Sequence, residues 1–264
     1  MVKTWDVTIP ALTDDAKRLV YVYLPDSYGA DPNRRYPVLY MFDGHNVFFD
    51  SHATYGKSWG MEKYMDQTRT QMIIVAVECN HGPDHARICE YAPYSFTDPY
   101  FGKITGRGEV YMNWLIRDLK PEIDASFLTL PGRDHTMIAG SSMGGLMSLY
   151  AVLKYNDIFF GAACLSASFH FCQNEMERLI KDAQISQNTI IYLDFGSGEM
   201  DRHQNLKEKY IRITNALIRR DIYLETRIIP GGTHSEKSWE RQIPFFMNTL
   251  LYGESDESTV VFRH

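Results

Sequence analysis

Residues 136–155 read TMIAGSSMGGLMSLYAVLKY. The first four suit a short buried strand, and Leu146 to Tyr155 suit a helix that is apolar nearly all round, as in the middle of a domain. Between them stands Gly140-Ser141-Ser142-Met143-Gly144-Gly145, a G-x-S-x-G pattern centred on Ser142. A strand, a tight turn and a helix in that order can force one serine hydroxyl out at the tip of the turn. The glycines have a steric purpose, because side chains at 140 and 144 would crowd the neighbouring strand and helix. The helix N-terminus behind Ser142 favours negative charge developing there. The plain alternative is a glycine-rich turn without catalysis.

Working outward, apolar runs recur at Leu19–Leu24, Tyr36–Phe42, Gln71–Val77, Phe159–Leu165, Thr189–Leu193 and Tyr223–Ile229. Continuous runs of this length suit strands buried on both faces, as in a parallel sheet covered by helices. Helical spacing appears over Val110–Ala125, Gly145–Asn156, Gln204–Arg220 and Lys237–Tyr252. Pro121 predicts a bend or restart in the first of these. Alternating strands and helices, with no linker or internal repeat, predict a single α/β domain over residues 1–264. Residues 80–108 fit no regular element. They carry prolines, glycines and five aromatics (Tyr91, Tyr94, Phe96, Tyr100 and Phe101), so a long ordered loop over the site is expected. The tail from 253 to 264 has no assignment.

A serine hydroxyl needs a base to take its proton. After the strand-like YLETRII comes Pro230-Gly231-Gly232-Thr233-His234, which puts an imidazole in a glycine loop at a strand end. The acid lies within Asp194-Phe195-Gly196-Ser197-Gly198-Glu199-Met200-Asp201. Glu199 is the choice, since it sits in the glycine loop and can reach a neighbour. Asp201 stays open as a helix N-cap or acid, and Asp194 as a turn-capping residue or acid. A tetrahedral intermediate also needs two donors aimed at its oxygen. The amide of Met143 is one. The other is expected from Asp43-Gly44-His45, directly after YPVLYMF, through the His45 amide.

The chain has 264 residues and a formal net charge of −6, with no stretch of Lys and Arg that could track phosphates. Nucleic-acid binding is therefore not expected. The N-terminus shows no apolar leader and no run is long enough to span a bilayer, so a cytoplasmic protein without membrane association is expected. Cys79, Cys89, Cys164 and Cys172 form no CxxC pair and are expected to be free thiols. His45, His52, His81 and His85, with Asp43 and Asp50, show no metal-ligand spacing. The four histidines are expected to be surface loop residues, with no metal and no cofactor. The sequence leaves the oligomeric state open, a homo-oligomer included.

Together, YPVLYMFDGHNVF, Arg87-Ile88-Cys89-Glu90-Tyr91-Ala92-Pro93, IAGSSMGGLMSLYA and PGGTHSEKSW resemble the putative-esterase (esterase-D-like) family of the α/β-hydrolase superfamily over about residues 17–252. That family includes siderophore esterases, feruloyl and acetyl-xylan esterases, S-formylglutathione hydrolases and mycolyltransferases. DGHNVF and RICEYAP are most similar to the siderophore-esterase-like branch. The resemblance implies an α/β-hydrolase fold: a mostly parallel sheet between helices, in three layers. It also implies that Ser142 matches the nucleophile, His234 the base and Glu199 the acid, with His45 and Met143 as oxyanion donors. The expected activity is hydrolysis of small acyl or aryl esters through an acyl-enzyme, with Tyr91, Tyr100 and Phe101 as substrate-binding side chains. Acyl transfer, siderophore or carbohydrate (acetyl or feruloyl) ester hydrolysis, and a non-catalytic binding role are the alternatives.

Overall fold

The computed structural model describes residues 1–200 and 205–252. Its eight-stranded sheet takes β1 (Val2–Thr8), β2 (Lys17–Tyr23), β3 (Val38–Met41), β4 (Ile73–Val77), β7 (Thr136–Ser141), β8 (Gly161–Leu165), β9 (Ile190–Gly196) and β10 (Tyr223–Ile229). The order across the sheet is β1-β2-β4-β3-β7-β8-β9-β10. β1 and β2 pair antiparallel, as do β2 and β4, and every other pair is parallel. A separate hairpin joins β5 (Phe96–Asp98) to β6 (Gly102–Ile104).

The apolar runs form the inner strands because each feeds two cores at once. In β2, Val20 and Val22 enter one core while Tyr21 and Tyr23 enter the other. In β9, Ile191 and Leu193 alternate in the same way with Ile190 and Tyr192. The first core is covered by helices Gly108–Trp114, Met143–Lys154, Gln173–Asp182 and Leu206–Ile218. The second is covered by Met61–Thr68, Glu236–Glu240 and Ile243–Leu251. This is the three-layer α/β/α arrangement. Helix Met143–Lys154 is buried from Met143 through Leu153. Each of its fully buried leucines contributes about 1.5–3 kcal/mol relative to exposure.

Several elements differ from expectation. β1 carries no continuous apolar run, because it is an edge strand whose half-buried residues, Val2, Trp5 and Val7, are separated by exposed ones. β10 is likewise an edge strand, paired only with β9, and its residues are half-buried or exposed. Residues 80–108 contain helix Ala86–Glu90 and the β5–β6 hairpin. They are fastened to the sheet by the buried pair of Arg18 on β2 with Glu90, 2.7 Å apart. The helix that begins at Gly108 passes through a π-helical turn at Leu115–Leu119 before Lys120–Ser126. The wide turn sits directly before Pro121, which has no N–H to donate to a preceding carbonyl. The last predicted helix is two, with Pro244 in the first turn of the second. Asp201 and the 253–264 tail lie outside the described residues.

The topology locates the site. β3 has β4 on one side and β7 on the other, and all three run parallel. The chain leaves β3 in one direction and later returns to its other edge, so the loops beyond the carboxyl ends of β3 and β7 diverge and leave a crevice.

Candidate active site

Ser142 occupies the turn between β7 and its helix with φ 58° and ψ −122°. That is left-handed territory for a residue with a Cβ, so the surrounding structure must hold it there. The Ser142 amide donates to Leu165 O at 2.9 Å, and its carbonyl accepts from the Ser168 amide at 3.0 Å. A Cβ on Gly140 would stand 2.7 Å from the carbonyl carbon of Gly144, and one on Gly144 would stand 2.9 Å from Phe42 Cβ. Both glycines are therefore required by close approach. The second contact also seats the Phe42-Asp43-Gly44 loop against the start of the serine's helix.

The loops after β9 and β10 meet backbone to backbone. Gly198 donates to Gly232 O at 3.0 Å, and Ser197 Oγ accepts from the Gly231 amide at 2.8 Å. This contact brings His234 Nδ1 to 2.6 Å from Glu199 Oε2. The Glu199 carboxylate is buried, and its Oε1 accepts from Ser166 Oγ at 2.7 Å and from the Gly196 amide at 3.1 Å. Ser166 Oγ in turn accepts from Trp239 Nε1 at 2.9 Å. The Trp239 ring packs edge-on to His234, with centroids 5.1 Å apart. Glu199 is thus held by three donors, one of them the imidazole.

Asp194 serves elsewhere. It accepts from Tyr192 Oη at 2.9 Å and from the Ser166 amide at 3.2 Å. Burial pushes its carboxyl up to about 7 against the pull of those bonds.

Ser142, Met143, Glu199 and His234 all line one cavity of about 580 Å³. Phe101, Phe171 and Phe195 supply aromatic walls, and Arg87 and Lys209 add cationic groups. A wider groove of about 770 Å³, lined by Arg178, Arg212, Arg219 and Arg220, lies between two surface helices and holds none of these four residues. Ser142 Oγ stands 3.3 Å from Ser168 Oγ.

His45 lies on the turn Gly44–Asn46 after β3 and is buried, not on the surface as expected. Gly44 packs on β4 so closely that a Cβ there would stand 2.8 Å from Ala76 O. Asp43, with φ 56°, receives both prongs of Arg87 at 2.6 and 2.7 Å. Burial alone would raise the Asp43 carboxyl, but the Arg87 charge and hydrogen bonds hold it below its usual range.

Of the three expected substrate-binding aromatics, only Phe101 lines the cavity. Tyr91 is wholly buried, and its hydroxyl accepts from the Asp43 amide at 3.3 Å, so it braces the loop after β3. Tyr100 is 84% exposed at the hairpin tip and faces solvent. Sequence reasoning gave no role to Arg87, Ser166, Ser168 or Trp239. The available signal for the two serines was their position just past the carboxyl end of a buried strand, where open α/β sheets build their sites.

Residues 13–251 match the family described as "Putative esterase". The chain belongs to the putative esterase family. YbbA, an uncharacterized protein of Bacillus subtilis (strain 168), is 24% identical over 247 residues, covering 89% of this chain and 92% of that one. An endo-1,4-beta-xylanase/feruloyl esterase of Xylanibacter ruminicola is 25% identical over 87% of this chain but only 29% of its own length. Esterase Rv1288 of Mycobacterium tuberculosis (strain H37Rv) is 28% identical over 83% of this chain and 44% of its own. Among solved structures, a ferulic acid esterase superposes with a TM-score of 0.69 at 19% identity, covering 96% and 98% of the two chains. The enterobactin esterase of Shigella flexneri, with enterobactin, gives 0.71 at 16% identity, covering 96% of this chain and 59% of that one. These likenesses establish the α/β-hydrolase type of fold. Among the described residues, no helix is long and apolar enough to cross a membrane.

Proposed function

We propose that this member of the putative esterase family hydrolyses small acyl or aryl carboxylic esters through an acyl-enzyme on Ser142. The observation that carries the reading is the 2.6 Å contact of His234 Nδ1 with buried Glu199, on the same cavity wall as the strained Ser142. In this mechanism the Ser142 hydroxyl attacks the ester carbonyl while His234 Nε2 takes its proton. The carboxylate of Glu199 keeps the other imidazole proton on Nδ1 and stabilises the charged ring. The amides of Met143 and His45 receive the oxyanion. His234 then gives its proton to the departing alkoxide, and a water molecule repeats the sequence to release the acid. Family membership supports the ester bond as the target. Aromatic walls at Phe101, Phe171 and Phe195 favour an aryl or short apolar acyl group.

The test is hydrolysis of short-chain p-nitrophenyl esters by the wild type and Ser142→Ala. A loss of at least about 10³-fold in kcat with an unchanged circular dichroism spectrum is expected. Equal turnover in the two proteins would remove Ser142 from the chemistry.

A further inference from the structure

β3 and β4 are parallel neighbours with Met41 opposite Ala76, so the segments leaving their carboxyl ends emerge side by side. His45 lies four residues past Met41, and Cys79 and His81 lie three and five past Ala76. One ligand atom from each of His45, Cys79 and His81 falls within 4.8 Å of the others. Cys79 Sγ stands 4.0 Å from His81 Nδ1, and the two imidazoles meet edge to face with centroids 4.6 Å apart.

His45 is about 5% exposed, and its Nε2 lies 3.0 Å from Thr54 Oγ1. Its Nδ1 is buried with no hydrogen-bond partner. A ring that donates from Nε2 to Thr54 leaves Nδ1 as a bare lone pair. Buried polar nitrogens are rarely left unpaired, and one left so is destabilising. An oxygen partner on the far nitrogen is also the usual support for a metal-bound histidine.

We propose that His45, Cys79 and His81 form a binding site for a thiophilic divalent cation, Zn²⁺ in the first instance. Two imidazoles and one thiolate are the donor set for zinc, and His81, the exposed member, leaves a fourth position open to water. Binding converts the buried Cys79 thiol to a thiolate, releasing its proton to solvent as the metal–sulfur bond forms. The bound ion ties the loop after β3 to the loop after β4, and so fixes the turn that carries the His45 amide.

The full-length protein, stripped with a chelator, is titrated with Co²⁺ as a spectroscopic stand-in for Zn²⁺. One equivalent should give thiolate-to-cobalt charge transfer with tetrahedral-strength visible bands, and Zn²⁺ should displace both. Cys79→Ser should lose the charge-transfer band. His81→Ala, altered at an exposed position, should keep the metal-free Tm yet bind at least about tenfold more weakly and lose the Zn²⁺-dependent rise in Tm. Ser142→Ala should keep the whole cobalt signal, so the site stands or falls apart from the esterase reading. Absence of thiolate charge transfer at one equivalent, or a band of equal strength in Cys79→Ser, would overturn the proposal.

Discussion

Replacing Glu199 by Gln changes one charge and almost no volume, which makes it the sharpest probe of the site. The wild-type carboxylate accepts three times: from Ser166 Oγ, from the Gly196 amide and from His234 Nδ1. A glutamine has one oxygen and one NH₂. If its oxygen keeps the Ser166 and Gly196 bonds, its NH₂ faces His234 Nδ1 and must find a lone pair there. The imidazole proton then moves to Nε2, the nitrogen that should receive the serine proton, and the base is disarmed. If the amide flips, its NH₂ meets two donors in a buried space. The first orientation therefore wins, and the fold should lose no more than about 1 kcal/mol.

Catalysis should lose about 10³ to 10⁴-fold in kcat, or roughly 4–5.5 kcal/mol of barrier, with KM nearly unchanged. Steady-state hydrolysis of a p-nitrophenyl ester reads the rate, and ¹⁵N chemical shifts of the labelled imidazole read the tautomer directly. The reasoning fails if Glu199→Gln keeps a third or more of wild-type kcat, or if the His234 proton stays on Nδ1 while activity collapses. Asp201→Asn is the companion variant and should cost far less. The reverse ranking would move the acid role to Asp201.

Two further outcomes follow from buried carboxyls. Asp194 has its pKa raised from 3.8 to about 7, mainly by burial, so the folded state holds this proton more tightly than the unfolded chain does. Its contribution is fully present below about pH 4 and is lost as pH rises through 7, at up to about 1.4 kcal/mol per unit. Asp194→Asn should flatten the fall of Tm across that window, and parallel Tm–pH curves for the two proteins would rule this out. Asp43 is the opposite case, a buried carboxylate kept ionised by the Arg87 fork. Arg87→Met should cost about 3 kcal/mol in urea unfolding, because it strands that charge, and Asp43→Asn in the same chain should recover at least half. A double variant no more stable than the single one would mean that the pair does not hold the loop.

The parts of this molecule legible in the sequence are those that a single segment must carry by itself. The turn around Ser142 needs its own glycines, and the inner strands need their own apolar runs because both faces are buried. His234 and Glu199 could be put forward as base and acid because a serine nucleophile demands such groups in loops at strand ends, and the structure sets the two side chains 2.6 Å apart. What could not be read is which loop touches which. Asp43 and Arg87 are 44 residues apart, and Ser166 and Trp239 are 73 apart. A parallel sheet turns such distances into contacts only through its strand order, and a strand's residues do not announce their neighbour. The β3–β4 adjacency that packs Gly44 onto Ala76 is the same adjacency that gathers His45, Cys79 and His81. Those three look like scattered loop residues along the chain because no ligand spacing exists within either segment. It exists only across the pair of strands, so a site of this kind becomes visible once the order of the sheet is known.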